Sequence, residues 1–287
     1  MPRINSLGFH QSARANKLRF MLPIMLTILL ATFFAYFVLS VAFHGFPSSL
    51  FDGGNNVFVE LNIFVIVAVS LTSLLLFVHY FRKEPELAVK VFAAAFILSG
   101  ILSTLLFVKL IFVSLSLELP ILLLIVALVT YVGAYFAYLL FVDSLSVTIR
   151  NALFVFCSAA LGSFVGITIP PFLVIAISLC LSVVDLVLIK RKTMEQFLGN
   201  TGYERIVTQI SFSSRHWGIG IGDLTCYSIV AANTLLNFGL IAGGISVLMI
   251  LLGSLISLTL TLRMFRVPGL PISITLGLLP SIALLFF

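Results

Sequence analysis

Asp185 and Asp223 each stand in a run of apolar residues, one short step from a basic cluster. The first nears the end of Phe172-Leu-Val-Ile-Ala-Ile-Ser-Leu-Cys-Leu-Ser-Val-Val-Asp185-Leu-Val-Leu-Ile189, ahead of Lys190, Arg191 and Lys192. The second follows Gly220-Ile221-Gly222, behind Arg215. Holding a carboxylate in hydrocarbon costs several kcal/mol, so an acid there marks chemistry or transport. Two carboxyl groups within hydrogen-bonding reach titrate as one coupled pair, with a proton shared between them. In that state one takes a proton from water while its protonated partner polarises a peptide carbonyl, as in aspartic proteases. Paired acids in membrane helices also relay protons or cations, so the pair alone fits a transporter or channel as well.

Two further features bear on that choice. Gly220 and Gly222 put no side chain beside Asp223, which lets a substrate backbone or a partner helix come close. Downstream, Pro268-Gly269-Leu270-Pro271 is expected to leave a non-helical stretch at a helix start, with unpaired amides and carbonyls. Backbone of that kind is tolerated at membrane depth only where it lines a cavity or is buried in protein. It is suited to hold an extended peptide by strand addition.

Composition dictates what must position these residues. The chain of 287 residues is 61% hydrophobic and 9% charged, with a mean hydropathy of +1.24, whereas a soluble domain carries about 25% charged residues. The apolar runs are about 20 residues long and lack the alternation of a barrel, so the chain reads as an all-α polytopic membrane protein. Nine transmembrane helices are expected, over 21–43, 58–81, 89–113, 120–142, 151–168, 172–189, 217–238, 241–262 and 267–287. The first run is too long for a signal-peptide core and reads as a retained helix. Ile169-Pro170-Pro171 separates the fifth helix from the sixth.

Basic residues set the orientation. With a cytoplasmic N-terminus and the C-terminus outside, fifteen of the sixteen Lys and Arg fall on the inner side. Lys109 is the exception. The formal net charge of +6 therefore reflects this bias and not a nucleic-acid site. Asp185 lies five residues before Lys190 and Asp223 eight after Arg215, about 7.5 Å and about 12 Å of helix. Antiparallel sixth and seventh helices thus bring both acids to the inner third of the bilayer. The whole chain, 1–287, is expected to be one transmembrane domain. Helices one to five (1–168) form a scaffold, and helices six to nine (169–287) carry the site, with a cytoplasmic loop at 190–216. Cys157, Cys180 and Cys226 have neither metal-ligand spacing nor an even count, so neither a zinc site nor a disulfide framework is expected.

Three segments, in this order, resemble the presenilin and signal peptide peptidase family of GxGD-type intramembrane aspartyl proteases. They are Ser182-Val-Val-Asp185-Leu-Val, Gly220-Ile-Gly-Asp223-Leu-Thr-Cys-Tyr-Ser228, and Pro268-Gly-Leu-Pro-Ile-Ser-Ile-Thr275 for the family's Pro-Ala-Leu motif. Spans one to five match in number and orientation only. The resemblance implies hydrolysis of peptide bonds within transmembrane segments of other membrane proteins. It makes Asp185 and Asp223 the catalytic pair and has Gly220, Gly222, Pro268, Gly269, Leu270 and Pro271 receive substrate. It calls for no metal and no organic cofactor. The orientation is that of presenilin and implies type I substrates. The short loops point to a microbial or archaeal homologue, which would sit in the cell membrane. Its partners would be substrate transmembrane segments and the lipid bilayer, with no nucleic acid; homo-oligomer formation is left open. Two departures stand out: Val184 where the family has tyrosine before the acid, and Gly269 where it has alanine. A prepilin-peptidase-like enzyme would share Gly-x-Gly-Asp without needing Pro-Gly-Leu-Pro. A proton-coupled transporter or ion leak channel is the non-enzymatic rival.

Secondary candidates surround the pair. Arg205-Ile-Val-Thr-Gln-Ile-Ser-Phe212 is β-branched and partly alternating, so it is expected to form a strand that pairs with unwound substrate. Tyr227, one turn after Asp223, is placed for a hydrogen bond within the site or for packing. Asn233 and Asn237 read as interhelical glue. Trp217 reads as an interfacial anchor.

Overall fold

The computed structural model describes residues 6–43, 84–114, 119–191, 211–214, 217–263 and 269–286. Among these described residues seven helices run in order: α1 Ser6–Phe43, α2 Pro85–Ser114, α3 Leu119–Phe141, α4 Val147–Thr168, α5 Pro171–Arg191, α6 Ile221–Arg263 and α7 Leu270–Phe286. A hairpin of β1 Ser211–Ser214 and β2 Trp217–Gly220 precedes α6. The expected second span, 58–81, lies outside the described residues. Five of the helices are long and apolar enough to cross a membrane, while the apolar stretches Pro171–Leu186 and Leu270–Leu285 are shorter. The chain is an integral, essentially all-α membrane protein.

Helix boundaries follow local chemistry. Ser146 caps α4, its extended backbone leaving Oγ to accept from the Ile149 N–H at 3.4 Å. The same helix stops at Ile169, held extended at φ −94° and ψ 135° because a proline follows. Pro171 then starts α5, where its missing N–H costs nothing. A straight α6 of 43 residues would reach about 65 Å, twice the hydrocarbon core of about 30 Å. It is not straight. Gly239 takes φ 88° and ψ 178°, which breaks the helix in a region that side chains rarely enter. Beyond it the chain doubles back: a Cβ on Gly243 would fall 2.9 Å from the Cα of Leu235. Val230 and Ile250, on opposite arms, both line the position of Gly277 in α7. The two arms are the expected seventh and eighth spans.

Small residues let the helices close in. Gly162 and Gly166 of α4, one turn apart, lie against α6, where added methyl groups would strike Ser228 and the carbonyl of Ile229. This is the small-xxx-small device of membrane helix packing. Asn233 of α6, buried, donates from Nδ2 to the carbonyls of Gly166 at 2.7 Å and Ile169 at 2.9 Å. Those acceptors sit at the end of α4, where Pro170 and Pro171 leave carbonyls without helical donors. Asn233 is therefore interhelical, as its sequence context implied. Asn237 is not; it is exposed and donates to the Asn233 carbonyl of its own helix at 3.0 Å.

One core joins Ile24 and Ile28 of α1, Val155 of α4 and Val174 of α5 to Leu224, Tyr227 and Val230 of α6 and Ile274 and Leu278 of α7. A second core joins α2, α3 and α4 around Phe96, Leu140 and Phe154. Lys90 near the start of α2 meets Asp143 just after α3 at 2.6 Å. This ion pair ties the start of α2 to the end of α3.

Candidate active site

Asp185 lies near the end of α5 and Asp223 in the first turn of α6, and each is part-buried. Val184, where the family has tyrosine, is half exposed. The two carboxylates lie within electrostatic reach of each other, and both reach the buried Cys226 and Tyr227.

A single segment touches both acids. The Leu270 N–H, at the start of α7, donates to the Asp185 carboxylate. A Cβ built on the preceding Gly269 would lie 3.6 Å from Asp223 Oδ2. Leu270 thus pairs with Asp185, while Gly269 faces Asp223 across the space its missing side chain leaves. Pro268 lies outside the described residues. Pro271 falls in the first turn of α7. The expected non-helical stretch is accordingly shorter than the motif suggested, because Leu270 and Pro271 are already helical. Nor is its backbone unpaired. The Gly269 carbonyl accepts from Tyr227 Oη at 3.4 Å and from Ser273 Oγ at 3.1 Å. Proline in a first turn lacks only an N–H that the helix would not have used.

The glycines before Asp223 are placed differently from the expectation that the seventh helix begins at 217. Trp217–Gly220 is β2, paired antiparallel with β1 in the register Ser211↔Gly220 and Ser214↔Trp217. Gly220 ends the strand, and a Cβ on it would sit 3.6 Å from the Asp223 carboxyl carbon, an ordinary contact. Gly222 is exposed in the first turn of α6, with no atom within 4 Å of where its Cβ would be. The space beside Gly222 is open. The strand expected at 205–212 overlaps the observed β1 at Ser211 and Phe212, and its partner is the chain's own β2; residues 205–210 lie outside the described set.

Gly269→Ala should be tolerated, since the added methyl group meets Asp223 only at ordinary van der Waals distance. Folded yield and turnover are expected within about threefold of wild type, the small effect of a substitution that adds no clash. A loss of turnover beyond tenfold would show that the gap at Gly269 is itself required.

Some positioning residues escaped the sequence reading. Gly162 and Gly166 lie outside the three motif segments, although their spacing in an apolar helix is a packing signal. Ser273 sits inside the third segment but gave no sign that it would meet Tyr227. A groove of about 700 Å³ opens elsewhere, between α1 and the Gly239 break, from Leu29 to Leu248. Its lining is mostly apolar, with Thr32 and Tyr36 as the polar side chains and no carboxylate, histidine or basic group, so it does not compete with the carboxylate pair. Among the described residues no three His, Cys, Asp or Glu side chains cluster to hold a metal.

No family model matches the sequence, and no curated protein matches it. The fold does have relatives. It is similar to crystal structures of a presenilin family intramembrane aspartate protease in two space groups. In the P2 form the TM-score is 0.56 at 16% identity, covering 91% of this chain and 95% of that one. In the C222 form it is 0.55 at 16% identity, covering 92% and 97%. The similarity spans nearly the whole of both chains, including the scaffold helices that carry no motif.

Proposed function

We propose that the chain is an intramembrane aspartyl endopeptidase, cutting peptide bonds inside transmembrane segments of other membrane proteins. The observation that carries this is that the two acids, within electrostatic reach of each other, converge on the start of α7, where Leu270 pairs with Asp185 and Gly269 faces Asp223. The near full-length likeness to a presenilin family protease fold supports it. With a cytoplasmic N-terminus, as the basic residues imply, the substrates would be type I membrane proteins.

The chemistry follows from a shared proton. The ionised carboxylate takes a proton from a water held between the pair. The water oxygen attacks the scissile carbonyl carbon, whose oxygen accepts a hydrogen bond from the protonated partner. Collapse of the tetrahedral species breaks the C–N bond, and a proton passes from the pair to the departing amine. One water is consumed, and the dyad returns to its starting state.

A helical substrate resists this attack because its carbonyls are hydrogen-bonded and shielded by side chains. Local unwinding must come first, and an extended segment needs partners for its freed amides. The β1–β2 hairpin, which leads directly into Gly220-Ile221-Gly222-Asp223, is suited to supply them by strand addition. The open space at Gly222, next to Asp223 in the chain, leaves room for the substrate backbone. Gln209→Pro, in the stretch expected to extend the first strand, removes one N–H donor. We expect folded protein with at least about tenfold slower cleavage, the scale of one or more lost hydrogen bonds; unaltered cleavage would reject the hairpin's role.

Cleavage of a single-span substrate in detergent by wild type, Asp185→Ala and Asp223→Ala tests the reading. Turnover by wild type alone is expected. Turnover retained in either variant would refute the dyad.

A further inference from the structure

Gly269 O and Leu270 N belong to one peptide group. Its N–H donates to the Asp185 carboxylate, while its carbonyl accepts from Tyr227 Oη at 3.4 Å and Ser273 Oγ at 3.1 Å. The two hydroxyl groups are also in hydrogen-bonding reach of each other. Tyr227 is 3% exposed and Ser273 fully buried, so water does not compete for these bonds. Tyr227 stands four residues after Asp223, which places the phenol and the carboxylate on the same face of α6. Asp185, the peptide and Tyr227 are thus linked across three helices, with Asp223 within electrostatic reach of both side chains.

We infer that Tyr227 is a positioning residue which orients Asp185 through the Gly269–Leu270 peptide. Two bonds to the carbonyl fix the plane of that peptide and aim its N–H. Hydrogen bonds accepted at one end of a peptide group also polarise it and strengthen the bond donated at the other. Asp185 sits near the end of α5, a short apolar helix packed on α6 and α7, so this bond helps to set where its carboxylate points. Tyr227 itself is buried and bonds to that peptide, through which it acts on Asp185. Ser273 supports the same carbonyl, which is why the ring hydroxyl alone is not the whole of the device.

The inference rests on the protease reading, and its test separates the two. Tyr227→Phe removes the hydroxyl and keeps the ring; Ser273→Ala removes the second donor with little change of volume. Two quantities are read beside thermal stability. One is the split between kcat and KM on a transmembrane substrate. The other is binding of two matched peptides, one unmodified and one with a hydroxyethylene group replacing the scissile amide. A mispointed dyad weakens only the interactions made to the tetrahedral centre. In each variant kcat should fall about tenfold with KM within twofold, the scale of one positioning hydrogen bond. Affinity for the hydroxyethylene peptide should fall by a similar factor, and that for the unmodified peptide should not change. Wild-type activity with both variants within twofold of it overturns the role of Tyr227 and leaves the protease reading intact. So does equal weakening of both peptides, which marks a general loss of packing. A wild-type chain that neither cleaves nor binds the hydroxyethylene peptide overturns the protease reading, and this inference falls with it.

Discussion

Asp223→Asn is expected to stop turnover while leaving the protein folded. Asparagine keeps the shape of the side chain in the first turn of α6 but can neither accept the water's proton nor share one with Asp185. General acid–base groups contribute about 10²- to 10⁴-fold, and each half of a dyad needs the other. Cleavage should therefore fall by about 10³-fold or more. Asp185→Asn should do the same, and its amide oxygen still accepts from the Leu270 N–H, which preserves the fold. The double variant is expected to be no slower than either single one, because residues that act as a unit lose their effect together. Initial rates on one substrate, with size-exclusion profiles as the folding control, measure all three. A double variant far slower than both singles would mean that the acids work independently.

Gly166→Leu should cause the largest loss of folded protein. A Cβ at that position meets the Ile229 carbonyl at 2.5 Å, and that oxygen is backbone, which cannot swing aside. Leucine would push α4 from α6 and pull the Gly166 carbonyl away from Asn233, which binds it at 2.7 Å. Overpacking and the lost interhelical bond together cost roughly 2–5 kcal/mol. That corresponds to a fall of about 10 °C in thermal midpoint for a chain of this size. Gly244→Leu is the matched control, since no atom lies within 4 Å of where its Cβ would be and the position is exposed. Equal midpoints for the two variants would show that the close contact of α4 and α6 is not a source of stability.

The acids and the place where α7 starts were legible because they violate the rule of the surrounding sequence. A carboxylate in an apolar run and two prolines at a helix start are locally expensive, and each is visible without knowing its partner. The Gly239 reversal was legible for a related reason: the run from Ile221 to Arg263 is too long for one crossing. What failed to show was pairing. Trp217-Gly-Ile-Gly220 continues an apolar run and reads as the first turn of a helix, but its backbone pairs with Ser211–Ser214. Periodicity carries no information about a partner strand that short. Gly162 and Gly166 were passed over because span counting weighs hydropathy, in which glycine is neutral, and not surface shape. The meeting of Tyr227 and Ser273 on the Gly269 carbonyl depends on how α6 and α7 turn relative to each other, and no local pattern fixes that angle. The length of α1 differs for a simpler reason: hydropathy marks only its apolar part from 21 onward, whereas the helix itself starts at Ser6.

The central claim is hydrolysis inside a membrane span, and liposomes test it against transport. The purified chain would be reconstituted with a single-span type I substrate, and the products weighed by mass spectrometry. Proton and cation flux across the same vesicles would be followed in parallel. The account predicts two fragments whose masses sum to the substrate plus one water, with the cut inside the apolar span. It also predicts that a hydroxyethylene peptide suppresses both fragments. An intact substrate, with flux through the vesicles that the same peptide does not block, would contradict it.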